Sequence, residues 1–188
     1  MLIIGNGRMI TRDPENPFFE NGAVAMEEGT IRKTGTEEEI RKAYPDAEYI
    51  DARGGVIMPA FINAHEHIYS AFARGLSIRG YDPHGFLEIL DGMWWTIDRN
   101  LTLEETRLSA MATYIDSIKN GVTTVFDHHA SFGNITGSLF KIEEAARETG
   151  VRSCLCYEVS DRDGKRRRRK PSLRMRHLSD MLCPMTAI

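Results

Sequence analysis

Two histidines, His65 and His67, close the apolar run Phe61-Ile62-Asn63-Ala64-His65-Glu66-His67. Side chains on a β-strand repeat every two residues, so both imidazoles leave one face and can reach a single metal ion. The same alternation sends Glu66 to the opposite face, where it reads as structural, and puts Asn63 on the histidine face one step deeper, where it reads as orienting a ligand or as packing in the barrel, with packing the expected role. A second polar pair, His128-His129, ends the run Val122 to Asp127. The two point opposite ways, so one of them is expected to reach the mouth of any site and meet substrate. His84 lies in a long excursion beside Phe86, Trp94 and Trp95. That excursion reads either as part of a substrate pocket or as an aromatic core segment. Arg74 reads as an anion contact or a loop cap. Cys154 and Cys156 share a strand face as a Cys-x-Cys pair, with burial the expected fate of both thiols, and Glu158 ends the same strand.

The elements that must position these residues fall into two rhythms. Residues 1–58 read as short strands. Gly5-Asn6-Gly7 and Glu27-Glu28-Gly29 are hairpin signals, and Thr36 to Glu39 is a capping box opening a short helix that stops near Tyr44-Pro45. Strands are expected again over Glu48 to Ala52 and Val56 to Met58. From residue 59 to 164 strands and helices alternate. A helix is expected around His84 to Asp91. Another follows the capping box Thr102 to Glu105, with Leu108, Met111, Ala112, Ile115 and Ile118 as its apolar stripe, and ends at Asn120-Gly121. A third carries Ile135, Leu139, Ile142 and Ala146 and closes at Gly150. Such alternation predicts an α/β fold with a parallel sheet built from right-handed βαβ units.

Composition narrows the class. The 188 residues are 41% hydrophobic and 27% charged, as in soluble globular proteins. No run of about 18 apolar residues suggests a membrane span, and the early charges Arg8, Arg12 and Asp13 argue against a secretory signal. Three cysteines, Cys154, Cys156 and Cys183, make no disulfide framework and suit a cytoplasmic location. The charge is divided: residues 165–188 hold eight Lys or Arg against one acid, a net +7, while residues 1–164 carry 16 bases and 26 acids, a net −10. A basic run such as Lys165 to Lys170 is the type that binds nucleic acid. Here it reads instead as a by-product of a shifted reading frame, since glutamate codons read one base out of phase encode lysine and arginine.

Taken together, Gly55-Val56-Ile57-Met58-Pro59, Asn63 to His67, Arg74-Gly75, Gly121 to His129 and Cys156-Tyr157-Glu158 resemble the amidohydrolase superfamily, in its cytosine-deaminase-like and chlorohydrolase-like branch. Ala60 stands where that family often has glycine. The resemblance implies a metal-dependent-hydrolase (β/α)₈ TIM barrel preceded by a small β-sandwich portion, with His65 and His67 ligating a divalent metal, zinc or alternatively iron, from the first barrel strand. It implies hydrolysis of carbon–nitrogen bonds other than peptides, as an aminohydrolase or deaminase of a small heterocyclic substrate. The family takes its remaining histidine ligands from the fifth and sixth strands, its metal-binding aspartate from the eighth and its proton-shuttling glutamate beside the fifth. Val56 to Gly164 spans 109 residues, room for about three β/α steps where a barrel needs about 250 residues. The expectation is therefore an incomplete site, no assignable catalytic carboxylate and an inactive fragment. The rivals are a non-catalytic metal-binding fragment, a nucleic-acid module acting through the tail, and a cupin; the long amphipathic helices argue against the last. No oligomeric state follows.

Overall fold

The computed structural model describes residues 1–162. The basic tail from 165 to 188, with the reading-frame inference attached to it, lies outside the described residues. The chain divides into two compact units, one over residues 1–60 and the other from Phe61 onward.

In the first unit β1 (Leu2–Ile10), β2 (Phe18–Glu27), β3 (Thr30–Thr36), β4 (Glu48–Asp51) and β5 (Val56–Ile57) form one sheet in the order β3-β2-β1-β4, with β5 also on β1. β1–β2 and β2–β3 are antiparallel, while β4 and β5 join β1 in parallel. The hairpin expected at Glu27-Glu28-Gly29 forms. Glu28 and Gly29 take φ values of 50° and 76°, the doubly left-handed turn that matches strand twist. The hairpin expected at Gly5-Asn6-Gly7 does not form. β1 runs straight through, with register shifts on either side of Gly7 and Asn6 at φ 54°. A left-handed Asn serves a bulge as readily as a turn. Here the Asn6 amide donates to Asp51 Oδ1 at 2.7 Å, fixing the bulge against the end of β4. α1 (Glu37–Ala43) opens on the Thr36/Glu39 capping box and stops at Tyr44. Its Ile40 packs with Ile3, Ala23 and Ala25 as the unit's core.

The second unit is a three-stranded parallel sheet, β6 (Phe61–Glu66), β7 (Val122–His129) and β8 (Arg152–Tyr157), in that order. After β6 a 3₁₀ segment, Ile68–Ala73, leads to a helical stretch: α2 (Phe86–Ile89), a π turn over Leu90–Trp94, and α3 (Trp95–Asn100). The helix expected from His84 begins after Gly85 and runs further than the sequence suggests. α4 (Leu103–Lys119) opens on the Thr102/Glu105 capping box as expected. α5 (Ser138–Thr149) ends at Gly150, whose φ of 76° provides the left-handed cap. The core joins Ile68, Tyr114, Val125, Leu139 and Ile142.

α4 buries a different face from the one its apolar residues mark. Leu108, Ile115 and Ile118 are exposed, whereas Thr106, Ser109, Ala110, Tyr114 and Ser117 are buried. Small residues let the helix approach closely, and their hydroxyls find partners. Ser109 Oγ donates to the Ile68 carbonyl, and the Ser153 hydroxyl reaches Tyr114 Oη at 2.7 Å. Among the described residues no helix is long and apolar enough to cross a membrane.

Candidate metal centre

β7 sets the geometry. Val125, Asp127 and His129 are buried on the side packed by helices, while Phe126 and His128 are exposed on the other. On that open side lies a cleft of about 320 Å³ lined by His65, His67, Phe126, His128, Cys154 and Cys156, with Glu66 and, its side chain being fully buried, the main chain of Asp127 also at the wall.

His65 and His67 meet there with ring centroids 4.9 Å apart and Nε2 atoms 3.0 Å apart. His67 Nδ1 lies 2.9 Å from the carbonyl oxygen of His128. A carbonyl only accepts, so Nδ1 carries the proton, and in the neutral ring Nε2 keeps its lone pair. Two metal–nitrogen bonds of about 2.0–2.1 Å span any gap below roughly 4.2 Å, so both Nε2 atoms can bind one ion. Imidazole donors suit zinc and iron. The residues therefore fit a divalent metal, with two of the three protein ligands a catalytic zinc usually has. Among the described residues no group of three or more His, Cys, Asp or Glu side chains converges to hold an ion.

Asn63 departs from the expected alternation. The β6–β7 ladder slips between Asn63 and Glu66, and one extra residue reverses the parity of everything beyond it. Asn63 instead donates to Glu66 Oε2 at 2.7 Å and accepts from the His65 amide at 3.2 Å, while Glu66 Oε1 accepts from the His67 amide at 3.0 Å. The pair braces the strand end from behind.

Of the three further histidines singled out, only His128 joins the cleft, its ring edge-on to His67 at 5.6 Å. His129 is fully buried on the opposite face, where its Nε2 lies 3.0 Å from Ser131 Oγ. Burial, reinforced by His128, pushes its pKa down to about 3. His84 is exposed ahead of α2, its amide bound to Glu88 at 2.7 Å, with no part in the cleft. Gly85 stops the helix before reaching it.

Other candidates also resolve. Arg74 pairs with Asp116 and also donates to the Ala71 carbonyl. Cys154 is exposed, against expectation, because β8 turns it into the open cleft. Cys156 is half-buried, its thiol donates to the Asp127 carbonyl at 3.3 Å, and burial raises its pKa. Glu158 binds Arg162 at 3.2 Å, and Arg162 also binds buried Asp98 at 2.5 Å. The guanidinium sits 4.2 Å from the Phe132 ring centre and 4.9 Å from that of Trp95, so Trp95 serves this cluster. Burial outweighs the Arg162 contact and lifts the Asp98 pKa to about 6.

Sequence reasoning missed Asp127. It is 2% exposed, its Oδ1 accepts from the Ile68 amide at 2.8 Å, and burial drives its pKa up to about 8. The available signal was an acid in phase with Val125 on the apolar face of a strand.

The family model for the amidohydrolase family matches residues 56–181, more than half of the chain. The chain belongs to the amidohydrolase family. A model of the imidazolonepropionase-like composite domain of bacteria matches residues 22–47. Among curated relatives, the 5-methylthioadenosine/S-adenosylhomocysteine deaminase of Lawsonia intracellularis is 31% identical over 144 residues, covering 77% of this chain and 30% of that protein. The 5'-deoxyadenosine deaminase of Methanosarcina barkeri is 27% identical over 157 residues, 83% of this chain and 33% of the relative. The chain thus spans about a third of the length of the curated relatives it matches. Among solved structures, E. coli guanine deaminase superposes with a TM-score of 0.74 at 22% identity, covering 96% of this chain and 44% of that one. Atrazine chlorohydrolase TrzN from Arthrobacter aurescens TC1, complexed with zinc, gives 0.67 at 24%, covering 84% and 35%. The fold is that of amidohydrolase TIM-barrel proteins, present in part and preceded by an N-terminal sheet.

Proposed function

We propose that this chain carries the metal-binding opening strands of a cytoplasmic hydrolase that deaminates a small heterocycle by cleaving a carbon–nitrogen bond outside any peptide. Residues 1–58 correspond to its β-sandwich portion and residues 59–164 to its first barrel strands. The observation that carries the reading is the His65/His67 pair, with Nε2 atoms 3.0 Å apart and the His67 tautomer set by the His128 carbonyl. Deaminases of adenosine derivatives and of guanine among the similar proteins point to a purine-like substrate.

His65 and His67 would hold zinc, with iron as the alternative. When bound, such an ion lowers the pKa of its water toward neutrality and polarises the substituent on the scissile carbon. His128 lines the same cleft and offers a ring edge to the heterocycle. Neither nearby carboxyl is placed to move a proton to the leaving amine. Glu66 is engaged by Asn63 and the His67 amide, and Asp127 lies beneath helices. On this ground we propose that the 188-residue chain by itself turns over no substrate.

Equilibrium zinc binding and ammonia release from adenosine, guanine and their derivatives test this on the purified chain. We expect one ion bound per chain, a loss of roughly 100-fold or more in affinity for His65→Ala, and no turnover. Undiminished binding by His65→Ala would refute the metal centre. Turnover that His65→Ala abolishes would refute the inactivity alone.

A further inference from the structure

The geometry points to Asp127 as a positioning residue for the metal centre: from the face of β7 turned away from the cleft, it holds the backbone beyond His67 so that the imidazole keeps its ligand nitrogen bare. This deepens the metal-centre reading above and rests on it.

The argument begins where the β6–β7 ladder ends. Pairing slips after Asn63, resumes once at Glu66 opposite Asp127, and then stops as the chain turns into the 3₁₀ segment at Ile68. Ile68 is fully buried, so its N–H needs an acceptor that the ladder no longer offers. Asp127 Oδ1 supplies it at 2.8 Å. A side chain therefore replaces a ladder bond at the residue next to a candidate ligand. One position back, His67 Nδ1 donates to the carbonyl of His128, the residue next to Asp127. The two contacts join the same two chain segments side by side. Ser109 Oγ, donating to the Ile68 carbonyl, closes the clamp from α4. If the Ile68 amide loses its acceptor it must move, and the His67 ring moves with it off the His128 carbonyl. Its one ring N–H proton then redistributes between the two ring nitrogens.

Asp127 Oδ2, the oxygen that the Ile68 amide does not contact, makes no hydrogen bond and faces His129 Nδ1 at 4.0 Å, so the role asks only for an acceptor oxygen at Oδ1. An asparagine meets that need and a leucine does not. The run Asp127, His129, Ser131 has the residue types of a nucleophilic triad, but all three lie buried under helices and Ser131 is 0% exposed.

The test uses the 188-residue chain and its Asp127→Asn and Asp127→Leu variants. Zinc affinity is read by competition with a chromophoric chelator, and the tautomer of His67 by long-range proton–nitrogen NMR of the metal-free protein. Wild type and Asp127→Asn should both show His67 protonated at Nδ1 and bind zinc alike. Asp127→Leu should show mixed tautomers and bind zinc roughly 10–100-fold more weakly. Unchanged His67 signals and affinity in Asp127→Leu, or an Asp127→Asn as impaired as Asp127→Leu, would overturn the assignment. Should Asp127→Leu fail to fold, hydrogen exchange at the Ile68 amide decides. Protection equal to that of strand amides in wild type and Asp127→Asn supports the role, and free exchange in folded wild type refutes it. If wild type binds no zinc, the metal-centre reading falls while the tautomer and the Ile68 amide still report on Asp127.

Discussion

His128 and His129 are neighbours in the chain and opposites in the fold. The first stands in the open cleft beside His67, and the second is sealed among Ser131, Tyr157 and the helices on the far side of the same strand. The contrast extends to the two faces of the β6–β7–β8 sheet. The open face carries groups that can bind an ion or a substrate. The covered face carries polar groups held neutral by burial, and these fix the backbone that supports the open one. A polar residue on a parallel strand thus acts through its side chain on one face and through its neighbour's main chain on the other.

The largest effect that would break this contrast is thermodynamic. Removing the buried ring with His129→Ala leaves a cavity and takes from the Ser131 hydroxyl one of its partners, the Asn134 carbonyl and Tyr157 hydroxyl remaining, and should cost about 2–4 kcal/mol. His128→Ala should stay within about 0.5 kcal/mol. Urea unfolding of the two variants gives the comparison directly, and equal losses would mean that the faces do not differ as described.

A sharper form uses pH. His129 has its pKa lowered from 6.5 to about 3, and Asp127 has its own raised from 3.8 to about 8, burial being the main cause of both. Between pH 3.8 and 6.5 unfolding therefore takes up a proton at His129 and releases one from Asp127, and the two dependences cancel. Asp127→Asn leaves the histidine alone: relative to wild type, stability should fall as pH drops through this window, by up to roughly 1.4 kcal/mol per pH unit. His129→Gln leaves the acid alone and should do the reverse, losing stability as pH rises from 3.8 toward 8. Unfolding free energies across the range check both slopes, and two variants sloping the same way would refute the paired account.

The smallest expected effect concerns α4. Ile118 is 48% exposed despite its apolar type, so Ile118→Lys should alter the stability of this chain by no more than about 0.5 kcal/mol. A loss of several times that, read by the same unfolding titration, would place Ile118 against a partner.

Much of the fold was legible because its punctuation is local. Thr36 with Glu39 and Thr102 with Glu105 form their capping boxes, Glu28-Gly29 makes its turn, and Gly150 caps α5. The misreadings share a different cause. Asn6 and Asn63 were assigned by simple alternation or turn propensity, and each sits at a bulge whose partner is distant in sequence. The buried face of α4 was obscured because serine and threonine go inside only when tertiary contacts satisfy their hydroxyls. That the His65 and His67 rings meet followed from their two-residue spacing, but the choice of His128 over His129 for the cleft needed the helices that cover one side of β7. Asp127 was hidden for the same reason.

The π turn over Leu90–Trp94 has a consequence of its own. One surplus residue in a helix rotates everything after it by about 100°. Beyond this turn Asp98 points inward at Arg162 and the Trp95 indole lies under the guanidinium, so the phase of the helix after the irregularity ties the excursion after β6 to the segment that follows β8.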